Sequence, residues 1–288
     1  MLFFYLYNNI FKFKKIIFII IILLFIILNN NSYYHDKLIV TLTSWKGRIN
    51  FIHKNLEKLL NNTIKPKKLI LNLSKEEFPK KNLELPIEIL NLLEKYNNFE
   101  IFWVDKNNNV FKKLIPTLNR FKRDIIITVD DDILYPNDLF ENMLKCYKKI
   151  GGNNPVSFGT RSSDWNINGK IIHSHYGGGS IVSYKYFNNK INEIYKYTTK
   201  DRIDKGIKCF DDVLYTYAAL LNLYKYIRCK DYFIIHISLN KSRSFSENNN
   251  KRIGILLNQY HNIIERYINS QYNTTIEQLI EKIKNRNN

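Results

Sequence analysis

The sequence predicts an α/β fold, with an open and mostly parallel sheet that carries helices on both faces. Short apolar segments rich in β-branched residues alternate with segments of helical periodicity, which is the order of a repeated strand and helix. The apolar segments are continuous, as expected for parallel strands buried on both faces. At 288 residues the chain is long enough for one domain of catalytic size.

Strands and helices are predicted in alternation up to residue 150. The predicted strands are Lys37–Thr43, Lys67–Leu73, Phe99–Val104 and Ile125–Val129. The predicted helices are Phe51–Leu60, Pro86–Tyr96, Phe111–Phe121 and Pro136–Ile150. Pro116 falls near the first turn of the third helix or kinks it. Because ligands bind at the carboxyl ends of strands in such sheets, we expect the functional residues just after these strands.

The amino-terminal part contains a continuous apolar run, Ile16 to Leu28, preceded by Lys12, Lys14 and Lys15. The run is shorter than the ~20 residues of an ordinary spanning helix, and flanking lysines extend its reach. No small residues for signal cleavage follow it, so we predict an uncleaved signal anchor. The basic flank predicts a single-pass membrane protein with a cytoplasmic amino terminus. An interfacial anchor and a buried core helix are the alternatives.

Four segments follow from this organisation. They are an amino-terminal basic and anchor segment (1–28), a polar linker (29–37), the main α/β domain (38–245) and a helical extension (246–288). Within the extension, Ile253 to Ile268 has an amphipathic pattern that predicts a helix packed on the domain.

Composition excludes some classes of function. The formal net charge is +18, but the lysines are scattered and no Arg-rich arm is present, so we expect no nucleic-acid binding. Attraction to anionic lipid or to a diphosphate-bearing substrate fits this charge better. Cys146, Cys209 and Cys229 are too few and too widely spaced to predict a disulfide framework, a zinc site or redox chemistry.

Three consecutive carboxylates, Asp130 to Asp132, follow the fourth predicted strand directly. Like charges this close raise one another's pKa unless a cation neutralises them. In an extended backbone Asp130 and Asp132 point to the same side and Asp131 points away. This pattern predicts a site for Mg²⁺ or Mn²⁺ that also binds substrate phosphate oxygens. The alternative is a helix start decorated with acids.

Two further motifs are candidates for ligand contact. Gly177 to Gly179 and Ser180 form a loop that lets the backbone approach a ligand, or a tight turn without one. Asp211 and Asp212 precede an amphipathic helix, where a carboxylate serves as a general base or only caps the helix.

Taken in order, the segments LIVTLTSWKGRI, KPKKLILNLSKEEFP, FKKLIPTL, IIITVDDDILYP, GGGS and FDDVLYTYAALLN resemble the GT-A glycosyltransferases, specifically the inverting family 2-like enzymes of polysaccharide and glycan synthesis. The resemblance covers roughly residues 38–228. It implies a UDP- or GDP-sugar donor, a glycan or lipid-linked acceptor, and Mn²⁺ or Mg²⁺ as cofactor.

The same resemblance implies roles for individual residues. The implied donor-binding residues are Thr41, Ser44, Arg48, Lys113, Asp130, Asp131, Gly178 and Gly179. The implied metal ligands are Asp132, Asp130 and His236, although a lone histidine in an apolar strand is more often a core residue. Asp212 is slightly favoured over Asp211 as the base. The segment SIVSYKYF departs from the family pattern after the glycine loop, which leaves the acceptor open.

Two other functions compete with this interpretation. A phosphohydrolase of the haloacid dehalogenase type also places two acids, i and i+2, at a strand end, but on its first strand. A membrane-tethered carbohydrate-binding protein without activity would retain the fold and lose the need for metal.

Overall fold

The computed structural model describes residues 14–20, 37–158, 164–167, 170–174, 179–229 and 250–286. The β-strands are β1 (Leu38–Thr43), β2 (Lys68–Ser74), β3 (Phe99–Val104), β4 (Ile125–Thr128), β5 (Val156–Ser157), β6 (Asp164–Ile167), β7 (Lys170–Ser174), β8 (Ser180–Val182) and β9 (Ile227–Arg228). The α-helices are α1 (His53–Leu60), α2 (Ile87–Lys95), α3 (Ile115–Arg120), α4 (Leu139–Lys149), α5 (Tyr184–Phe187), α6 (Lys190–Asp204), α7 (Asp211–Leu221), α8 (Asn250–Tyr272) and α9 (Ile276–Arg286).

Seven of the described strands form one sheet in the order β3-β2-β1-β4-β8-β5-β9. The first four strands of the chain pair in parallel, β8 is antiparallel to both β4 and β5, and β9 is parallel to β5. The strands β6 and β7 form a separate antiparallel pair. The predicted mostly parallel α/β sheet is therefore confirmed, and its four predicted strands lie within one residue of the expected bounds.

Proline changes the third predicted helix. In place of a continuous helix over Phe111–Phe121, the chain forms a 3-10 helix, Asn109–Lys113, followed by α3 with Pro116 in its first turn. Proline has no backbone N–H and clashes with the preceding turn, so the regular helix begins beside it.

The core continues from the sheet into the helices. Leu38, Val40 and Ile126 have no exposed surface, and nearly every residue of α7 is buried. Helix α8 packs on this layer, as expected, through Tyr260 and Ile264, which are also fully buried. The Tyr217 hydroxyl lies 2.7 Å from Nδ1 of His261 and joins α7 to α8.

The predicted membrane anchor lies partly outside the described residues. Residues 14–20 form an exposed helical segment, and the rest of the run, 21–28, is not described. Among the residues that are described, no helix is both long and apolar enough to cross a membrane. The anchor therefore stays a prediction.

A disulfide joins Cys146 in α4 to Cys229, the residue that follows β9. The spacing of the three cysteines did not predict this bond, because a separation of 83 residues says nothing about distance in the fold. The Cα atoms of Cys146 and Cys229 lie 6.1 Å apart, since β9 returns to the sheet edge beside α4. Closing a loop of this length stabilises a chain by about 4 to 5 kcal/mol in the chain-entropy description.

Thiol counting tests this bond. In denaturant without reductant, we expect one reactive thiol per chain, that of Cys209, and three after reduction. Reduction is also expected to lower Tm, because the unfolded chain regains the entropy of the open loop. A Cys209→Ser variant is the control and should show no reactive thiol before reduction. Three reactive thiols before reduction would contradict the bond.

Candidate active site at the carboxyl edge of the sheet

Four segments that are distant in sequence meet at the carboxyl edge of the sheet. The loop Ser44–Arg48 follows β1, and the acidic triplet Asp130–Asp132 follows β4. Because β8 is antiparallel to β4, its first residue, Ser180, pairs with Thr128 at the same edge. Helix α7 begins here as well, at Asp211. The topology thus brings most of the predicted site residues to one place.

Lys113 connects two of these segments. Its Nζ lies 2.9 Å from Oδ1 of Asp130 and 3.0 Å from Oδ2 of Asp211. Burial alone would lower the pKa of Lys113, but the two carboxylates raise it well above its usual value. Lys113 is therefore a permanent ammonium that holds the acidic triplet against the start of α7.

Buried polar side chains of β1 and β2 hold the backbone of Lys113 by hydrogen bonds. The Thr41 hydroxyl donates to the Lys113 carbonyl oxygen at 2.6 Å, and Asn72 Nδ2 donates to the same oxygen at 3.2 Å. Asn72 also donates to the Thr41 hydroxyl at 2.9 Å. The sequence predicted that Thr41 contacts the donor directly. Thr41 has no exposed surface, however, and it acts on the site only through its contact with Lys113.

The three aspartates of the acidic triplet contact two different basic side chains, Lys113 and Arg48. Asp130 contacts Lys113, whereas Asp131 forms an ion pair with Arg48, and Nη1 of Arg48 lies 3.3 Å from Oδ2 of Asp132. Burial raises the pKa of Asp131 to about 6, against the lowering effects of Arg48 and of the Ser44 hydroxyl. The Asp131 side chain is 7% exposed and that of Asp132 is 19% exposed. Asp131 thus faces the protein, and its two neighbours reach the surface.

Two residues that the sequence did not point to hold the backbone of Asp130. Asn55 Nδ2 donates to the Asp130 carbonyl oxygen at 3.0 Å, and the Asp130 N–H donates to the Tyr135 hydroxyl at 2.9 Å. Both side-chain positions are fully buried. A signal was present, because Asn55 stands at a core position of α1 where an apolar residue is the norm, and a buried amide needs partners.

Gly179 lies against the backbone of Thr128, the last residue of β4. Its φ is +101°, and a Cβ at this position would overlap the carbonyl oxygen of Thr128. The neighbouring Ser180 hydroxyl lies 2.8 Å from that of Thr128, and the Ser180 N–H donates to the Thr128 hydroxyl at 3.1 Å. Gly179 therefore permits the close approach that places β8 beside the acidic triplet. Gly178, the other predicted donor contact of this loop, lies outside the described residues.

The two acids at the start of α7 have different partners. Asp211 contacts Lys113, and burial raises its pKa against the effect of that lysine, with Asp212 and Asp130 raising it further. Oδ1 of Asp212 accepts the Val213 N–H at 3.0 Å. Both acids follow Phe210, whose φ of 72° is unusual for an aromatic residue and turns the chain into the helix.

The donor set at this edge suits a hard divalent cation. Asp130 and Asp132 present carboxylate side chains that are 30% and 19% exposed, and Mg²⁺ or Mn²⁺ needs only one or two protein carboxylates when phosphates supply further ligands. His236, the third predicted ligand, lies outside the described residues. Within the described part, no cluster of three or more His, Cys, Asp or Glu side chains is arranged to hold a metal.

Comparison with known proteins places the fold. No protein-family model and no curated protein matches the sequence. Among solved structures, mannosyltransferase PcManGT from Pyrobaculum calidifontis, in complex with GDP-Man and Mn²⁺, is 14% identical, with a TM-score of 0.50 over 78% of this chain and 62% of that one. TarS 1-349 from S. aureus, in complex with UDP, is 13% identical, with a TM-score of 0.49 over 83% of this chain and 72% of that one.

A third solved structure is 4-diphosphocytidyl-2C-methyl-D-erythritol synthase from Anaerococcus prevotii. It is 14% identical, with a TM-score of 0.44 over 72% of this chain and 92% of that one. At these identities the similarity is one of fold. The chain has the GT-A-like fold of nucleotide-sugar transferases, as the sequence motifs indicated.

Proposed function

We propose that this GT-A-like chain is a glycosyltransferase of the hexosyltransferase type that moves a sugar from a UDP- or GDP-sugar to a hydroxyl of a glycan or lipid-linked acceptor, with inversion. One observation carries the proposal: Lys113 joins Asp130, which follows β4, to Asp211, which begins α7. Carboxylates suited to a metal-bound diphosphate and a carboxylate suited to a general base therefore share one site at the ligand-binding edge of the sheet.

Asp130 and Asp132 would hold Mn²⁺ or Mg²⁺, for which their partly exposed oxygens are suitable ligands. When bound, the ion would supply charge stabilisation to the departing nucleoside diphosphate. The mannosyltransferase of similar fold, solved with GDP-Man and Mn²⁺, supports this choice of donor and metal.

The chain's own residues would organise the displacement. Arg48 holds Asp131 and Asp132 together, and Lys113 holds Asp130 at a fixed distance from Asp211. Asp211 or Asp212 would take the proton of the acceptor hydroxyl as its oxygen attacks the anomeric carbon. A carboxylate whose pKa is raised by burial is a stronger base than an exposed one. A single displacement without an enzyme nucleophile inverts the anomeric centre.

The apolar run Ile16–Leu28 is proposed to anchor the enzyme in a membrane, with the amino terminus in the cytoplasm. Its continuous apolar composition and its preceding lysines support this topology.

Calorimetry on the full-length chain in detergent tests the proposed function. We expect UDP or GDP to bind with Mn²⁺ present, and binding to weaken by about tenfold or more when Mn²⁺ is removed or when Asp132 is replaced by alanine. The preferred nucleotide identifies the donor base. Asp105→Ala is the matched control, because Asp105 is an exposed acid that follows the edge strand β3, three strands from β4, and pairs with Lys75.

Other outcomes favour the competing functions. Nucleotide binding that ignores both Mn²⁺ and Asp132 would remove the assigned metal site. Failure to bind any nucleotide, with phosphatase activity or carbohydrate binding in its place, would favour the phosphohydrolase or the inactive carbohydrate-binding protein.

A further inference from the structure

Basic side chains cluster at the amino edge of the sheet, opposite the candidate active site. The Lys67 N–H donates to the Leu38 carbonyl at 2.8 Å, and the Ile125 N–H donates to that of Lys37 at 2.9 Å, so the starts of β1, β2 and β4 lie side by side. Besides Lys37, the basic residues around these starts and at the end of α2 are Lys65, Lys67, Lys68, Lys95, Lys122 and Arg123. The acids beside them are Glu94, Asp124 and Glu57, the last of which lies in α1 and pairs with Lys95.

An open groove of about 720 Å³ lies within this amino edge. It is lined in part by Lys65, Lys67, Lys95 and Tyr96, so three ammonium groups surround it. Lys95 pairs with Glu57 at 3.2 Å and Lys67 with Asp124 at 3.1 Å, and Lys65 donates to the Leu60 carbonyl at 3.2 Å. Such exposed contacts are weak and exchange readily for a phosphate. The groove therefore suits the phosphate of a lipid headgroup.

Several bases of this edge have no acid partner within the described part of the chain. Lys68 donates to the Asn97 carbonyl at 3.3 Å, and Lys122 lies over the Tyr184 ring, 5.0 Å from its centroid. Neither of them, nor Lys65 or Arg123, forms an ion pair among these residues. Bases next to an anionic membrane contribute about fivefold each to binding, so this edge has enough charge to orient the domain.

The docking argued here rests on the anchor proposed above, from which a short linker leads to this same edge. Only residues 29–36 separate the apolar run that ends at Leu28 from Lys37, which precedes β1 at the amino edge. From Leu28 to Lys37 the chain spans at most about 30 Å. The carboxyl edge lies about 20 Å farther away, across the six residues of β1.

We propose that the amino edge, defined by Lys65, Lys67, Lys68, Lys95, Lys122 and Arg123, docks on an anionic lipid bilayer. In this proposal the linker 29–36 holds the amino edge close to the bilayer, and the positive charge of that edge orients the domain. The candidate active site then opens away from the membrane. This docking concerns orientation and is tested without any enzymatic reaction.

A different surface would give the opposite orientation. At the carboxyl edge Leu83 is 87% exposed and Ile87 is 63% exposed, and the Lys46–Glu84 ion pair joins this segment to the loop that follows β1. If these apolar side chains entered the bilayer, the site would face the membrane. Lys80 and Lys81 are exposed beside Leu83 and report on this alternative.

Lysine labelling distinguishes the two orientations. The full-length chain is placed in vesicles of phosphatidylcholine, with or without phosphatidylglycerol, and treated with a water-soluble amine reagent before peptide mass spectrometry. We expect phosphatidylglycerol to protect Lys65, Lys68 and Lys122 and to leave Lys80 and Lys81 reactive. Protection of Lys80 and Lys81 in their place, protection independent of phosphatidylglycerol, or failure to associate with vesicles overturns the proposal.

Charge reversal provides the matched test. Lys122→Glu with Arg123→Glu is expected to reduce the protection of Lys65 and Lys68, by about fivefold for each base removed. Lys80→Glu with Lys81→Glu reverses two consecutive exposed bases at the other edge and should leave that protection unchanged. Unchanged Tm values show that both variants remain folded. An equal loss of protection in the two variants would show nonspecific attraction and contradict a defined docking face.

Discussion

Replacement of Lys113 by methionine is expected to lower kcat/KM by about 100-fold, because small displacements of reacting groups have effects of this size. Methionine keeps the unbranched shape of the side chain, one atom shorter, but removes the ammonium that lies 2.9 Å from Asp130 and 3.0 Å from Asp211. Without it the two carboxylates repel each other, and the acidic triplet separates from the start of α7. The measurement is the steady-state kinetics of the proposed sugar transfer, with sugars of the nucleotide that calorimetry identifies as donors.

The pH profile of the same variant identifies the base. Lys113 lowers the pKa of Asp211, so its removal raises that pKa further above the ordinary value. A general base acts in its ionised form, and a higher pKa therefore moves the acid limb of kcat/KM to higher pH. A shifted limb assigns the base to Asp211. A limb that stays in place, with a loss of activity larger than that of the control variant described next, assigns it to Asp212, which accepts the Val213 N–H.

A neighbouring lysine controls for lost stability. Lys112, in the same 3-10 helix, is also buried, and its ammonium donates to Glu77 at 3.1 Å and to Asn107 at 3.0 Å. Lys112→Met thus breaks a comparable buried pair, at a cost of about 3 to 5 kcal/mol, outside the cluster of Lys113. It should lower Tm and leave the acid limb unchanged. If both variants lose activity equally and neither moves the limb, Lys113 has only a structural role.

Local signals predicted much of the fold. Strands β1 and β4 are continuous segments of apolar and β-branched residues, because parallel strands buried on both faces need such side chains at nearly every position. Strands β5 and β9 have two residues each, too few for any periodicity to be detected. The antiparallel position of β8 was likewise not apparent, because it depends on the approach of Gly179 to Thr128 and not on local composition.

In the candidate site, too, some features were predictable from the sequence and others were not. The motifs at strand ends and at the start of α7 indicated where its residues lie, because the topology of the sheet gathers strand ends at one edge. The partners did not follow from the sequence. Arg48 and Asp131 are 83 residues apart, and Lys113 contacts two acids in separate motifs. Thr41 occupies an inward position of β1, which a motif match cannot distinguish from an outward one.

Gly179 is the residue where packing at the site is tightest. Its φ of +101° is unfavourable for any residue with a Cβ, and an added Cβ would overlap the Thr128 carbonyl oxygen. That oxygen belongs to the strand backbone and cannot rotate away as a side chain would. Relief therefore requires β8 to separate from β4, at the pair of hydrogen bonds between Ser180 and Thr128.

Replacement of Gly179 by alanine is expected to lower the free energy of unfolding by about 2 to 5 kcal/mol, from about 1 to 2 for the positive φ and about 1 to 3 for the overlap. Urea unfolding measures this loss. Gly206→Ala isolates the contribution of the positive φ, because Gly206 has a φ of +69° and open space around it.

The same two variants also test the position of the acidic triplet. Since Thr128 lies two residues before Asp130, Gly179→Ala should also weaken Mn²⁺-dependent nucleotide binding, whereas Gly206→Ala should leave it intact. Equal losses of stability in the two variants would mean that β8 can shift without cost, and that the approach of Gly179 does not position the acidic triplet.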